Sequence, residues 1–203
     1  MKIICIGRNY ADHAKELKND LPTVPVIFMK PKNALLLPDK PLYYPEFTTD
    51  LQYECELVIK ITKNGKYIKK KFAKKYYEYL SLGIDFTARD LQREQQKKGL
   101  PWEIAKAFDG SAAIGTFLPI HENIDVNNLT FELKLNDKLV QTGHTKDMIF
   151  SIDSIVEYIS MFFTLNIGDL IYTGTPAGVG PVNPGDTLEG FIAGEKIMSV
   201  EVK

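Results

Sequence analysis

Glu54 and Glu56 stand two residues apart in Tyr53-Glu54-Cys55-Glu56-Leu57, a spacing that puts both carboxylates on one face of a strand and Tyr53, Cys55 and Leu57 on the other. Two anions sharing a partly buried face repel unless a cation or strong donors compensate, and a bound metal is one such cation. Taken alone, Glu-x-Glu also suits a solvent-facing strand side. Asp85 shifts the balance, because it lies within the apolar run Leu82-Gly83-Ile84-Asp85-Phe86, where a charge has to be paired, used as a helix cap or bound to a metal. Three carboxylates with no cysteine and no obvious histidine ligand make a hard oxygen site, suited to Mg²⁺ or Mn²⁺, with Ca²⁺ as a substitute, rather than to zinc.

A second group could move protons. His13 and Glu16 are spaced i, i+3 on a short helix, so the carboxylate can orient the imidazole and the imidazole can take a proton from water. A solvated helix face beside Lys15 would look the same. Lys106, in Ile104-Ala105-Lys106-Ala107-Phe108, is flanked by small and apolar residues that could place its ammonium beside a substrate anion, unless it snorkels to solvent. Arg89 and Gln92, again i, i+3, offer donors to a carboxylate or to the metal ligands. The Gly174-Thr175-Pro176-Ala177-Gly178-Val179-Gly180-Pro181 loop could turn backbone N–H groups to an anion, but it lacks the Gly-Lys-Ser/Thr ending of a phosphate loop. There is no Gly-x-Ser-x-Gly elbow, and neither cysteine has an activating neighbourhood, which disfavours covalent acyl transfer. His121 and His144 receive no catalytic role.

Several elements must carry these groups. Strands are expected at Lys2 to Ile6, Val26 to Met29, Tyr53 to Ile61, Leu82 to Thr87, Asp169 to Thr173, Thr187 to Ile192 and Lys196 to Val202. Pro31 to Pro45 reads as irregular loop. Asn64-Gly65 signals a hairpin back through Tyr67-Ile68, and a second hairpin joins Phe131 to Leu135 with Leu139 to Thr142 across Asn136-Asp137-Lys138. Helices are expected over Tyr10 to Leu17, Phe72 to Leu80 and Arg89 to Lys98, the last stopped by Gly99-Leu100-Pro101, and from an N-cap at Ser151 through Phe163. The order lacks regular βα alternation, so a mixed or antiparallel α+β fold is expected, with no linker dividing the chain.

Composition narrows the partners. At 203 residues the chain can bury a core without disulfides, and 25 Lys plus Arg against 26 Asp plus Glu leave a net charge of −1, which gives no global field for nucleic acid or a membrane. Cys5 and Cys55 lie in apolar runs, as buried thiols do in a reducing, cytoplasmic setting. The apolar stretch Met1 to Ile6 is too short for a signal-peptide core, and Ile149 to Phe163 is broken by Asp153 and Glu157, short of the about 20 apolar residues that span a bilayer.

Taken in order, Gly7-Arg8-Asn9-Tyr10-Ala11-Asp12-His13, Tyr53-Glu54-Cys55-Glu56, Asp85-Phe86-Thr87-Ala88-Arg89-Asp90, Lys98-Gly99-Leu100-Pro101-Trp102, Asp147-Met148-Ile149-Phe150-Ser151 and Gly168-Asp169-Leu170 through Gly180 resemble the fumarylacetoacetate hydrolase family, most closely its short acylpyruvase-like members. The resemblance runs from Gly7 to the C-terminal strands. It implies a single catalytic domain over 1–203, with 1–50 contributing the His-Glu dyad, a β-rich sandwich or roll with few short helices, and a homodimer. It further implies that Glu54, Glu56 and Asp85 bind Mg²⁺ or Mn²⁺, that His13 and Glu16 activate water, and that Lys106 stabilises developing negative charge. Arg8 and Thr175 would contact substrate, and Arg89 and Gln92 would line or support the site. The expected reaction is hydrolysis of a C–C bond in an acylpyruvate-type 2,4-dioxo acid. Oxaloacetate decarboxylation or keto–enol isomerisation of a 2-oxo acid uses the same enolate chemistry, and a non-catalytic metal and oxo-acid binder or a structural β-rich interaction domain are the readings from other classes. Two features match no family role: the lysine-rich stretch Lys63 to Lys75, and His144 in Gly143-His144-Thr145.

Overall fold

In the computed structural model, which describes residues 1–16, 20–121 and 124–203, the apolar runs assemble into three sheets. The largest is ordered Val26–Lys30, Ile3–Gly7, Leu170–Tyr172, Cys55–Ile61, Tyr77–Asp85, Ala112–Ile114 and Leu35–Leu36, with Leu118–Pro119 paired beside the start of Tyr77–Asp85. Neighbours are antiparallel except where Ile3–Gly7 runs parallel to Leu170–Tyr172 and Leu35–Leu36 parallel to Ala112–Ile114. An antiparallel four-stranded sheet orders Lys138–His144, Thr130–Leu135, Thr187–Ile192 and Glu195–Glu201. Gly180–Pro181, Leu51–Tyr53 and Thr87–Ala88 form a third, small sheet. The result is the expected mixed α+β, β-rich architecture with a few short helices.

Strand alternation gives the large sheet two buried faces. Ile4, Ile6, Cys55, Leu57, Ile59 and Ile171 pack with Phe131, Leu133, Leu188 and Val200 of the four-stranded sheet in the main core. Ile3, Cys5, Val58, Leu170 and Tyr172 fill a smaller cluster on the opposite face. Each such aliphatic chain gains about 1.5–3 kcal/mol on burial, and a one-residue slip would exchange the faces, so register is firmly set. Both cysteines are buried free thiols.

Two helices follow their expected patterns. Ile152–Phe162 buries Ile152, Ile155, Val156 and Ile159 at helical spacing, and the Ser151 hydroxyl caps it by accepting from the Ser154 N–H. Arg89–Lys98 buries the polar stripe Arg89, Gln92 and Gln95 and ends at Gly99 in the left-handed conformation, φ 65°. Ala11–Glu16 is the described part of the first helix; its expected end at Leu17 lies outside the described residues. The Asn136-Asp137 hairpin forms, with both residues at positive φ. Among the described residues no helix is long and apolar enough to cross a membrane.

Three expectations are corrected. Pro31 to Pro45 is not all irregular loop: a 3₁₀ turn covers Lys32–Ala34, and Leu35–Leu36 joins the large sheet beside Ala112–Ile114. Phe72 to Leu80 is not one helix: a 3₁₀ turn covers Lys70–Lys75, and the chain then enters the strand Tyr77–Asp85, where aromatic residues pair with Cys55–Ile61. Asn64-Gly65 does not start a hairpin through Tyr67-Ile68; Gly65 bridges to Leu165 instead. That glycine serves close approach, since a Cβ there would stand 2.4 Å from the Tyr76 ring.

Candidate active site

The carboxylates converge through strand pairing. The Asp85 N–H donates to the Glu54 carbonyl at 2.8 Å, and Glu56 pairs across with Gly83. Residues paired across antiparallel strands share a face, so Glu54, Glu56 and Asp85 all point to the side away from Cys55 and Leu57. One oxygen from each lies within 4.8 Å of the others, and all three residues are buried. Asp85 caps no helix, because the residue preceding Arg89–Lys98 is Ala88.

Two buried lysines and an arginine offset this charge. Lys106 Nζ donates to Glu54 Oε2 and Asp85 Oδ2, both at 2.7 Å, and to Thr87 Oγ1 at 2.6 Å, so all three of its protons are engaged and it does not snorkel. Arg89 Nη2 pairs with Glu54 Oε1, while Nε donates to Gln52 Oε1 at 2.8 Å and Nη1 to Gln92 Oε1. Lys30 Nζ approaches Asp85 Oδ1 to 2.7 Å, while two of its three N–H groups go to the Lys106 carbonyl and Ser111 Oγ. Asp85 Oδ1 has Lys30 as its counter-charge but no hydrogen bond of good geometry, although it is fully buried.

The titration behaviour follows. Burial pushes the Glu54 carboxyl up, but Lys106, Arg89 and His13 together outweigh it and hold the group well below the usual carboxylate range. Glu56 goes the other way: burial first, then Asp85 and Glu54, raise it well above that range against one opposing hydrogen bond from the Gly174 N–H, 2.7 Å long, and the Lys106 charge. Burial lowers the Lys106 ammonium, yet Asp85 and Glu54 prevail and raise it. A divalent cation fits this donor set: the oxygens are hard, Asp85 Oδ1 lacks a hydrogen bond of good geometry, and Glu56 has too little positive charge around it to favour its ionised form.

The remaining expected residues line the same cleft. Arg8, His13, Arg89, Gln92, Lys106 and Thr175 all border it with the three carboxylates. Arg8 turns the chain from Ile3–Gly7 toward the first helix at φ 59°, a conformation costly for a non-glycine residue. His13 is buried, and its Nδ1 lies 3.2 Å from Glu16 Oε2, so the pair forms at the cleft rim rather than on a solvated face. Glu16 Oε1 also accepts the Gly178 N–H at 3.1 Å. The glycine-rich loop thus spends two N–H groups on protein carboxylates, Gly174 on Glu56 and Gly178 on Glu16, not on an outside anion. A Cβ at Gly174, which has φ 101°, would lie 2.6 Å from Asn9 Cβ.

Three positioning residues carried no role in the sequence reading. Asn9 holds three segments together, donating to the Thr173 and Phe150 carbonyls and accepting the Phe150 N–H. Gln141 accepts from the Cys55 N–H and donates to Thr175 Oγ1 and the Pro176 carbonyl, each at 2.9 Å, while the Thr175 hydroxyl donates only over a long 3.5 Å to the Pro176 carbonyl. Lys30 is the third; the one signal for it was a lysine closing the apolar run Val26 to Met29.

Comparison with known proteins gives a consistent picture. The family model "Fumarylacetoacetate (FAA) hydrolase C-terminal" matches residues 2–203. The mitochondrial oxaloacetate tautomerase FAHD1 of Mus musculus is 43% identical over 201 residues, 99% of this chain and 91% of the relative. A fumarylpyruvate hydrolase from Pseudomonas aeruginosa, solved with Mn²⁺ and pyruvate, superposes with a TM-score of 0.93 at 38% identity, covering 100% of this chain and 89% of that one. A 5-carboxymethyl-2-hydroxymuconate delta-isomerase from Mycobacterium smegmatis does so with a TM-score of 0.86 at 33% identity, covering 99% and 78%.

Proposed function

This chain belongs to the fumarylacetoacetate hydrolase family, and from that premise we propose that it is a Mg²⁺- or Mn²⁺-dependent enzyme acting on a small 2-oxo acid, with keto–enol tautomerisation of oxaloacetate as its reaction. The observation that carries the reading is the buried Glu54–Glu56–Asp85 triad opening on the same cleft as the His13–Glu16 pair. Relatives at 41–43% identity named oxaloacetate tautomerases support the choice of reaction.

Glu54, Glu56 and Asp85 would hold the cation, which when bound supplies Lewis-acid polarisation of a 2-oxo group. The protein's own residues do the rest. Arg8 and the Thr175 hydroxyl offer donors to the substrate carboxylates. Lys106, held between Glu54 and Asp85, adds fixed positive charge where enolate character develops. With Nδ1 turned to Glu16, His13 Nε2 is the ring nitrogen that exchanges a proton with substrate C3; the enol loses its oxygen-bound proton as C3 gains one.

Hydrolysis of an acylpyruvate is the second reading, supported by the fumarylpyruvate hydrolase likeness and by the His13–Glu16 pair. There the same nitrogen takes a proton from water, hydroxide adds to the distal carbonyl, and the C–C bond breaks to give a carboxylate and pyruvate once C3 is protonated. The test is the decay of enol-oxaloacetate absorbance, run beside pyruvate release from an acylpyruvate panel, for wild type, His13→Ala and Glu54→Ala. Loss of about 10²- to 10⁴-fold in His13→Ala on the preferred substrate is expected. Wild-type rates in both variants would refute either reaction.

A further inference from the structure

Seven lysines, Lys63, Lys66, Lys69, Lys70, Lys71, Lys74 and Lys75, fall within a stretch that holds no Asp or Glu. All seven are exposed, and none forms an ion pair with a described residue. Aromatic rings stand among them: Lys66 lies 5.2 Å from the Tyr67 ring centroid, and Lys71 and Lys75 lie 5.0 and 5.4 Å from that of Phe72. Tyr67 is held outward, 67% exposed, at φ 53°, a conformation rare for a bulky residue.

The neighbouring segment is apolar and equally exposed. The Tyr67 N–H donates to the Ser160 carbonyl, Gly65 bridges to Leu165, and the Ile167 N–H donates to Asn64 Oδ1. These bonds set the lysine stretch beside the end of helix Ile152–Phe162 and the residues after it. There Met161, Phe162 and Ile167 are 50%, 53% and 65% exposed. Between the two segments runs a groove bordered by Tyr67, Lys69, Tyr158 and Met161, with Glu157 as its carboxylate.

We infer that this face docks on an anionic lipid surface, the lysines meeting headgroups while Tyr67, Phe162 and Ile167 enter the boundary with the acyl chains. Three features favour that occupant. Charge is complementary and diffuse: every cation is lysine, with no arginine fork for reading a defined phosphate or base. The exposed Met and Ile side chains gain nothing from stacking on bases but gain from leaving water, as interfacial segments do. The net charge of −1 is no obstacle, because at physiological salt charges beyond about 8 Å are screened and only the local array is felt.

The experiment is cosedimentation of the full chain with phosphatidylcholine vesicles and with mixed phosphatidylcholine–phosphatidylserine vesicles over a salt series. Binding to the mixed vesicles alone, weakening with salt, is expected. The triple variant Lys69→Glu, Lys71→Glu, Lys74→Glu should lower the partition coefficient at least about tenfold with an unchanged melting temperature. Tyr67→Ser with Phe162→Ser should remove the part of binding that resists salt. Equal binding to both vesicle types, or none to either, overturns the inference. So does binding to polyuridylic acid without vesicle binding, which would assign the face to nucleic acid.

Discussion

In the cleft, Lys30 and Lys106 lie 2% and 3% exposed between carboxylates, whereas the lysines from Lys63 to Lys75 all face water without an acidic partner among the described residues. Hydration, with an aromatic ring beside some of them, stabilises the second group. The first must recover several kcal/mol of lost hydration from ion pairs and hydrogen bonds of good geometry, and Lys106 does so with three contacts of 2.6–2.7 Å. The contrast locates the chemistry. A protein holds a dense cluster of charges away from water only where each is fixed against the others, and fixed charge in a region of low polarisability is what a developing enolate requires.

The sharpest way to break that contrast is to remove the buried ammonium. Lys106→Met keeps the volume but leaves Glu54 to Arg89 alone and Asp85 to Lys30 alone, and a loss of up to about 3–5 kcal/mol is expected in urea unfolding of the metal-free protein. Turnover should vanish with it. A change no larger than that of a surface lysine would mean that the cluster is hydrated and that its geometry carries no electrostatic weight.

The second test concerns the anion that the lysines leave uncompensated. A depressed carboxyl such as Glu54 contributes stability above its ordinary pKa and loses it as pH falls toward the depressed value; a raised lysine such as Lys106 contributes below its ordinary pKa and loses it as pH climbs through the raised one. Between mild acid and mild alkali that pair is intact. Glu56 is opposite in sign: its raised carboxyl costs stability as pH rises above the ordinary glutamate value. Glu56→Gln should therefore raise the melting temperature of the metal-free protein at about pH 8 and leave it nearly unchanged at about pH 4. In wild type, Mn²⁺ at a hundred times its Kd should add about 2.7 kcal/mol, an increment that Glu56→Gln reduces. A lower melting temperature for the variant at the higher pH would show that Glu56 is already neutralised without a metal.

The same contrast explains what could be read in advance. Glu54, Glu56 and Asp85 were legible because charges at strand period, or inside an apolar run, need a reason to be there. Lys106 was legible through its small neighbours. Lys30 was not, since a lysine between Met29 and Pro31 looks like an ordinary strand exit; only the pairing of Val26–Lys30 with Ile3–Gly7 turns it inward toward Asp85. Gln141 was invisible for a related reason: it reaches Cys55 and Thr175 from a strand of another sheet, a contact that no local pattern encodes. The misread helix over Phe72 to Leu80 has the same origin, because its second half is stabilised by Cys55–Ile61 and not by its own neighbours.

The smallest effect belongs to the exposed lysines. Lys70 has no ion pair or ring contact with a described residue, and Lys69, Lys71 and Lys74 are its like-charged neighbours. Lys70→Met should change stability by no more than about 0.5 kcal/mol, and in the stabilising direction, because it relieves repulsion and breaks nothing. That gain should be measurable at low ionic strength and disappear near 1 M salt, where the screening length falls to about 3 Å. A salt-independent loss instead would mean that Lys70 holds a structural contact, and the two populations of lysine would no longer differ in kind.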